Sequence, residues 1–146
     1  MASIREQIML NRFAAVDTLT DFLVRKRVQA DMFAPPQFPA LFIYPAKETK
    51  RAKNFIYECE LQLVVEISVQ ISNENADEKL NELLQLVEDK LQEDASCGGL
   101  AKSCYQVDND FAFGIGAANG RPDRAMVLAT WLVKYDHKAK NASLNL

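Results

Sequence analysis

The chain has 146 residues, with 17 basic and 20 acidic side chains and a formal net charge of −3. That length suits one domain able to bury about two thirds of its unfolded surface without disulfides or metals. The acidic balance argues against a nucleic-acid-coating protein, which is usually strongly basic, and no apolar run reaches the roughly 18 residues of a membrane span.

The first element reads as a helix from about Ser3 to Val24. Ser3 and Glu6 make a capping box, Ser-x-x-Glu. Ile4, Ile8, Ala15, Leu19 and Phe22 recur close to helical spacing, and Met9, Phe13, Val16 and Leu23 widen the apolar stripe. Arg25, Lys26 and Arg27 would then suit the negative end of the helix dipole. Pro35, Pro36 and Pro39 make the next stretch an extended connector. Ala40 to Tyr44 is a short apolar run that reads as a buried strand stopped by Pro45. Ala46 to Asn54 reads as a polar loop.

The clearest pattern follows. Phe55, Tyr57, Cys59, Leu61, Leu63, Val65, Ile67, Val69 and Ile71 hold the odd positions. Glu58, Glu60, Gln62, Glu66, Ser68, Gln70 and Ser72 fall on even ones. Period two predicts a strand with one dry and one solvated face. At about 3.3 Å per residue its reach approaches roughly 60 Å, so it should bend or protrude as a hairpin arm with the basic loop. Leu80, Leu83, Leu84, Val87 and Leu91 then mark a second amphipathic helix, about Ala76 to Glu93. Cys97-Gly98-Gly99-Leu100 follows, with glycine available for left-handed backbone. Tyr105 to Ile115 and Met126 to Tyr135 alternate as two closing strands, with a turn at Asn119-Gly120.

The expected order is α-β-β-α-β-β. It predicts an α+β, two-layer domain over residues 1–136, with a mainly antiparallel four-stranded sheet carrying both helices on one face. Residues 137–146 read as a polar C-terminal tail.

Chemistry is sparse. His137, the one histidine, falls in that tail, where no nucleophile is held beside it. The start, Met1 to Glu6, lacks the apolar region of a secretory signal. Cys59, Cys97 and Cys104 therefore read as reduced cytoplasmic thiols, at spacings that do not suit a zinc site. Gly114 to Gly120 is glycine-rich but precedes a strand, so it lacks the helix N-terminus that cradles phosphate. Glu58, Glu60 and Glu66 read as a solvated face or a subunit rim. Lys47, Lys50, Arg51 and Lys53 form the densest charge cluster, and Arg25, Lys26 and Arg27 the second. Such clusters either solvate loops or meet phosphate or an acidic protein.

Ile4-Arg5-Glu6, Phe38-Pro39-Ala40-Leu41-Phe42-Ile43-Tyr44, the long alternating strand, the Leu-rich helix, Gly98-Gly99-Leu100-Ala101 and Trp131 to Asp136 follow one another in a layout. That layout resembles the tail terminator, or tail completion, proteins of bacteriophages and prophages, in particular the Mu-like type. The Asp-Pro of that pattern before the Gly-Gly turn is replaced here by Glu93-Asp94-Ala95-Ser96-Cys97.

The resemblance implies a non-enzymatic structural protein with no cofactor and no catalytic residue. It implies a homo-oligomeric ring, typically a hexamer, that stops tube polymerisation and prepares head attachment. The implied partners are the tail tube protein and a head-completion or connector protein, with transient contact to phage DNA in the lumen and none with a membrane. The implied location is the bacterial host cytoplasm during assembly, then the virion tail. Lys47, Lys50, Arg51, Lys53, Glu58, Glu60, Arg25 and Arg27 are the expected interface or lumen residues. The alternative is a small cytoplasmic binding module contacting nucleic acid or an acidic protein through the basic loop.

Overall fold

The computed structural model describes residues 3–28, 37–70, 75–115 and 124–138. Helix α1 spans Ile4–Val16 and α2 Ala76–Gln92. The strands are β1 Val24–Lys26, β2 Ala40–Lys53, β3 Ile56–Gln70, β4 Ser103–Ile115 and β5 Arg124–Lys138. They form one mixed sheet in the order β1-β2-β3-β5-β4. The α+β reading holds, but the sheet has five strands rather than four. Strand β1 pairs parallel with β2, and the other three pairings are antiparallel.

Strand β1 replaces the end of the expected first helix. Ser3 Oγ does accept from Glu6 N at 3.0 Å, as a capping box requires. The Glu6 carboxylate turns away to Arg27 instead of closing the box. The helix stops at Asp17, and Thr18 Oγ1 bonds back to Ala15 O. Leu19 and Phe22 still reach the core, from a turn rather than a helix, which is why their spacing mimicked two further turns.

One face of the sheet is dry over its central strands. Ile8, Met9 and Val16 of α1 share a buried cluster with Leu80, Leu83, Val87 and Leu91 of α2. The same cluster takes Leu41 and Ile43 of β2 and the odd-numbered positions 59–69 of β3 and 125–135 of β5. Trp131 lies fully buried in it. The odd-position alternation therefore points at the helices, as the period requires.

The opposite face departs from expectation. Val64, Glu66 and Ser68 are buried, not solvated. Strand β3 is central, and Phe42 and Leu128 flank Glu66 across the two neighbouring strands. Val24, Ala40 and Phe42 make a second small apolar cluster beside them.

The long hairpin is not a free arm. β5 runs beside β3 from Ile56↔Lys138 to Gln70↔Arg124. His137 and Lys138 continue β5, so the polar tail does not begin at 137; residues 139–146 lie outside the described ones, as does Asn119-Gly120. The turn after α2 uses left-handed backbone at Cys97 (φ 52°), Gly98 (φ 72°) and Gly99 (φ 87°). Gly98 N donates to Asp94 Oδ2 at 2.7 Å, and a Cβ at Gly98 would meet Asn11 Nδ2 at 3.1 Å. Both constraints select glycine there.

Candidate functional site

The basic run from Lys47 to Lys53 lies in β2, not in a loop. Pro45 does not stop the strand, because a bulge absorbs it: Pro45 opposes Leu63, while Lys47 opposes Gln62. Ala46 is the extra residue. A bulge reverses the facing of every side chain beyond it. Lys47, Thr49, Arg51 and Lys53 thus share the face away from the helices with Glu58 and Glu60. Glu48 and Lys50 fall on the helix-covered side. The expected cluster is divided between two faces.

On the face away from the helices, the charges lie around an open concavity of about 410 Å³, lined by Arg51, Glu58, Glu60, Lys102, Lys134 and Asp136 among others. Arg51 Nη2 lies 2.6 Å from Glu58 Oε1, and Lys102 Nζ 2.7 Å from Asp136 Oδ2. Lys134 approaches Glu60 at 3.8 Å. The hydrogen bond from Arg51 holds the Glu58 carboxyl below its usual range. Three cations therefore meet three carboxylates, and the concavity offers no excess charge to a phosphate. Lys47 and Lys53 have no ion-pair partner among the described residues.

On the helix side, Glu48 is the hub. It accepts from Tyr135 Oη and from Arg5 Nη1, the latter at 2.8 Å, and Lys50 Nζ lies 3.6 Å away. Burial pushes its carboxyl up, but the hydrogen bonds from Tyr135 and Arg5 outweigh this and leave it lowered. Burial and the bond to Glu48 push the Tyr135 hydroxyl up. Lys50 also donates to His137 Nε2 at 3.0 Å, and the imidazole packs on Tyr57 with centroids 5.3 Å apart. His137 thus sits among the rings of Tyr57 and Tyr135.

Arg25 and Arg27 do not join this network directly. Arg25 Nε lies 3.1 Å from Asp17 Oδ1, and its Nη1 donates to Phe22 O. Arg27 makes two bonds to Glu6, at 2.7 and 2.9 Å. Both arginines fasten β1 to α1.

One polar group, Arg12, was not picked out from the sequence, and Glu66 and the pair Cys97 and Cys104 sit in surroundings that the sequence did not show. Arg12 is only 1% exposed. It donates to Leu91 O at 2.9 Å and Asp94 O at 2.7 Å, capping the C-terminal end of α2. Its position midway between Ile8 and Val16, four residues from each, was the available signal. Glu66 is 4% exposed, accepts from Tyr44 Oη, and keeps its Oε2 unpartnered among the described residues. Burial raises its carboxyl above the usual range, against the pull of Tyr44 and Arg124. Finally, Cys97 and Cys104 are both buried and share a hydrogen bond. Donation from Cys97, aided by nearby Arg12, lowers the Cys104 thiol below its usual range, and the same bond and burial hold Cys97 up.

Among the described residues no group of three His, Cys, Asp or Glu is placed to hold a metal ion. No described helix is long and apolar enough to cross a membrane. The chain matches no family model, and no curated protein matches it significantly.

The two edges of the sheet remain. Tyr105, Val107, Phe111 and Phe113 are exposed on β4, and Leu23 and Val28 are exposed on either side of β1. Six of the nine large hydrophobic side chains exposed among the described residues thus lie at these two edges.

Proposed function

We propose that this chain is a non-enzymatic structural subunit that closes into a ring on the end of a phage tail tube. In that position it halts tube polymerisation and prepares head attachment. The observation that carries the reading is the pair of outer strands, β1 and β4, on whose free sides no further described strand pairs. An exposed, apolar edge strand is a template for another chain, and a ring needs two different patches that meet head to tail. The charge-balanced concavity supports the same reading, because interlocked ion pairs suit a protein rim better than a phosphate backbone. Lys47 and Lys53 are the basic residues left to face DNA passing through the lumen. Glu58, Glu60 and Arg51 belong to the rim.

The test is tail length, measured by electron microscopy in particles from a lysogen lacking this reading frame. Overlong, headless tubes are expected. Normal-length tails on full heads would remove the function.

A further inference from the structure

We propose that β4 of one subunit pairs antiparallel with β1 of the next, so that neighbouring sheets run into one another; this rests on the ring reading and names its contact. Both strands are edges of the sheet. β4 has 13 residues and neither proline nor lysine to blunt its free side.

The charges select the partner. Asp108 and Asp110 are exposed and oppose Thr130 and Leu128, so they lie on the face away from the helices. Lys26 is exposed and opposes Phe42, on that same face. None of the three has an ion-pair partner among the described residues. A β4–β4 contact would set acid against acid, and a β1–β1 contact lysine against lysine, and like charges across a pair are unfavourable. Only the mixed contact joins opposite signs. The helix-side face agrees. Phe111 and Phe113, 41% and 55% exposed, oppose Val127 and Ala125 there. Leu23, 60% exposed, immediately precedes β1. The mixed contact would bring these apolar side chains to one seam.

Strand direction agrees as well. β1 is parallel to β2, β2 antiparallel to β3, β3 to β5 and β5 to β4. β4 therefore runs opposite to β1 within one subunit. Rotation about an axis along the strands preserves direction, so the neighbour's β1 arrives antiparallel to β4.

Cysteine pairing tests this in the full chain. Lys26→Cys is combined with Asp108→Cys or Asp110→Cys, all at exposed positions that leave the core intact. Each combination is oxidised in the concentrated purified protein and on tails assembled in the deleted lysogen. Expected is a ladder of covalent multimers at least about tenfold above that of any single variant. Asp108→Lys with Asp110→Lys should weaken self-association at least about tenfold, and adding Lys26→Asp should restore it. Dimers from Asp108→Cys alone, or no ladder in either setting, would overturn the edge pairing. If the deletion gives overlong tubes and the variant supplied to it restores normal tail length, the terminator reading survives that failure. A ladder in purified protein with unaltered tails in the deletion would instead keep the pairing and remove the terminator reading.

Discussion

Single buried side chains tie the helices and the sheet together. Arg12 supplies donors to Leu91 and Asp94 carbonyls that α2 leaves open at its end. Arg12→Leu keeps the apolar stem and orphans both acceptors. At about 1–3 kcal/mol for each buried unsatisfied group, a loss of about 3 kcal/mol is expected, read by urea unfolding through the Trp131 fluorescence. A loss below about 1 kcal/mol would mean that water replaces the guanidinium.

Glu66 and Glu48 act in opposite directions on pH. The folded state raises the Glu66 pKa, so the native chain binds that proton more tightly than the unfolded chain. Its contribution is greatest below the unfolded value near 4.5 and declines as pH rises through the folded one. Glu66→Gln should therefore exceed the wild type in stability at neutral pH, with the gap closing in acid. The Glu48 pKa is lowered, so its contribution is present at neutral pH and is lost as pH falls below about 4.5. Tyr135→Phe should shrink that acid loss. Stability curves at several pH values decide both.

Among the elements, β2 carries the most consequence. Its first four residues are buried, and most of the stretch after Pro45 is exposed. The bulge at Ala46 connects the halves and aims Glu48 at Arg5 and Tyr135. Deleting Ala46 would leave Pro45 opposite Leu63 and Lys47 opposite Gln62 with no extra residue between them, so Glu48 should keep its side and its bonds. Stability should then change by less than about 1 kcal/mol. Thermal unfolding of the deletion variant checks this, and a much lower midpoint would mean that the bend of the bulge is needed to hold Glu48 against Arg5 and Tyr135. This element also marks a limit of legibility. The alternation of β3 is plain because one face is dry over its whole length. In β2 a proline and a run of lysines hide a continuing strand, whose pairing comes entirely from β3. Strand β1 has three residues, too few for any period to emerge, and it forms by pairing with β2.

For the whole molecule, the charge arrangement separates two roles. Arg51 is held by Glu58, whereas Lys47 and Lys53 lack such partners among the described residues. If the chain has the proposed tail-terminator function, replacing Lys47 and Lys53 with alanine should reduce infectivity while tail length stays normal, because DNA passage and tube capping would be different events. Arg51→Ala should disturb the rim and loosen ring assembly. Plaque counts and tail measurements on the same particles separate the two, and full infectivity of the lysine variant would discard the lumen role.

Periodicity alone was enough for α2, for β3 and β5, and for the side of the sheet that faces the helices, since local apolar spacing decides which side of an element is buried. The glycine turn after α2 was equally legible, because Gly98 permits the left-handed backbone that its bond to Asp94 requires. What only the tertiary structure decided is long-range: the fifth strand, the burial of Glu66 in the central strand, the meeting of Cys97 with Cys104, and the division of Lys47 to Lys53 between two faces. Each depends on which strand lies next to which, and one extra residue at Ala46 reverses a facing that no local pattern records.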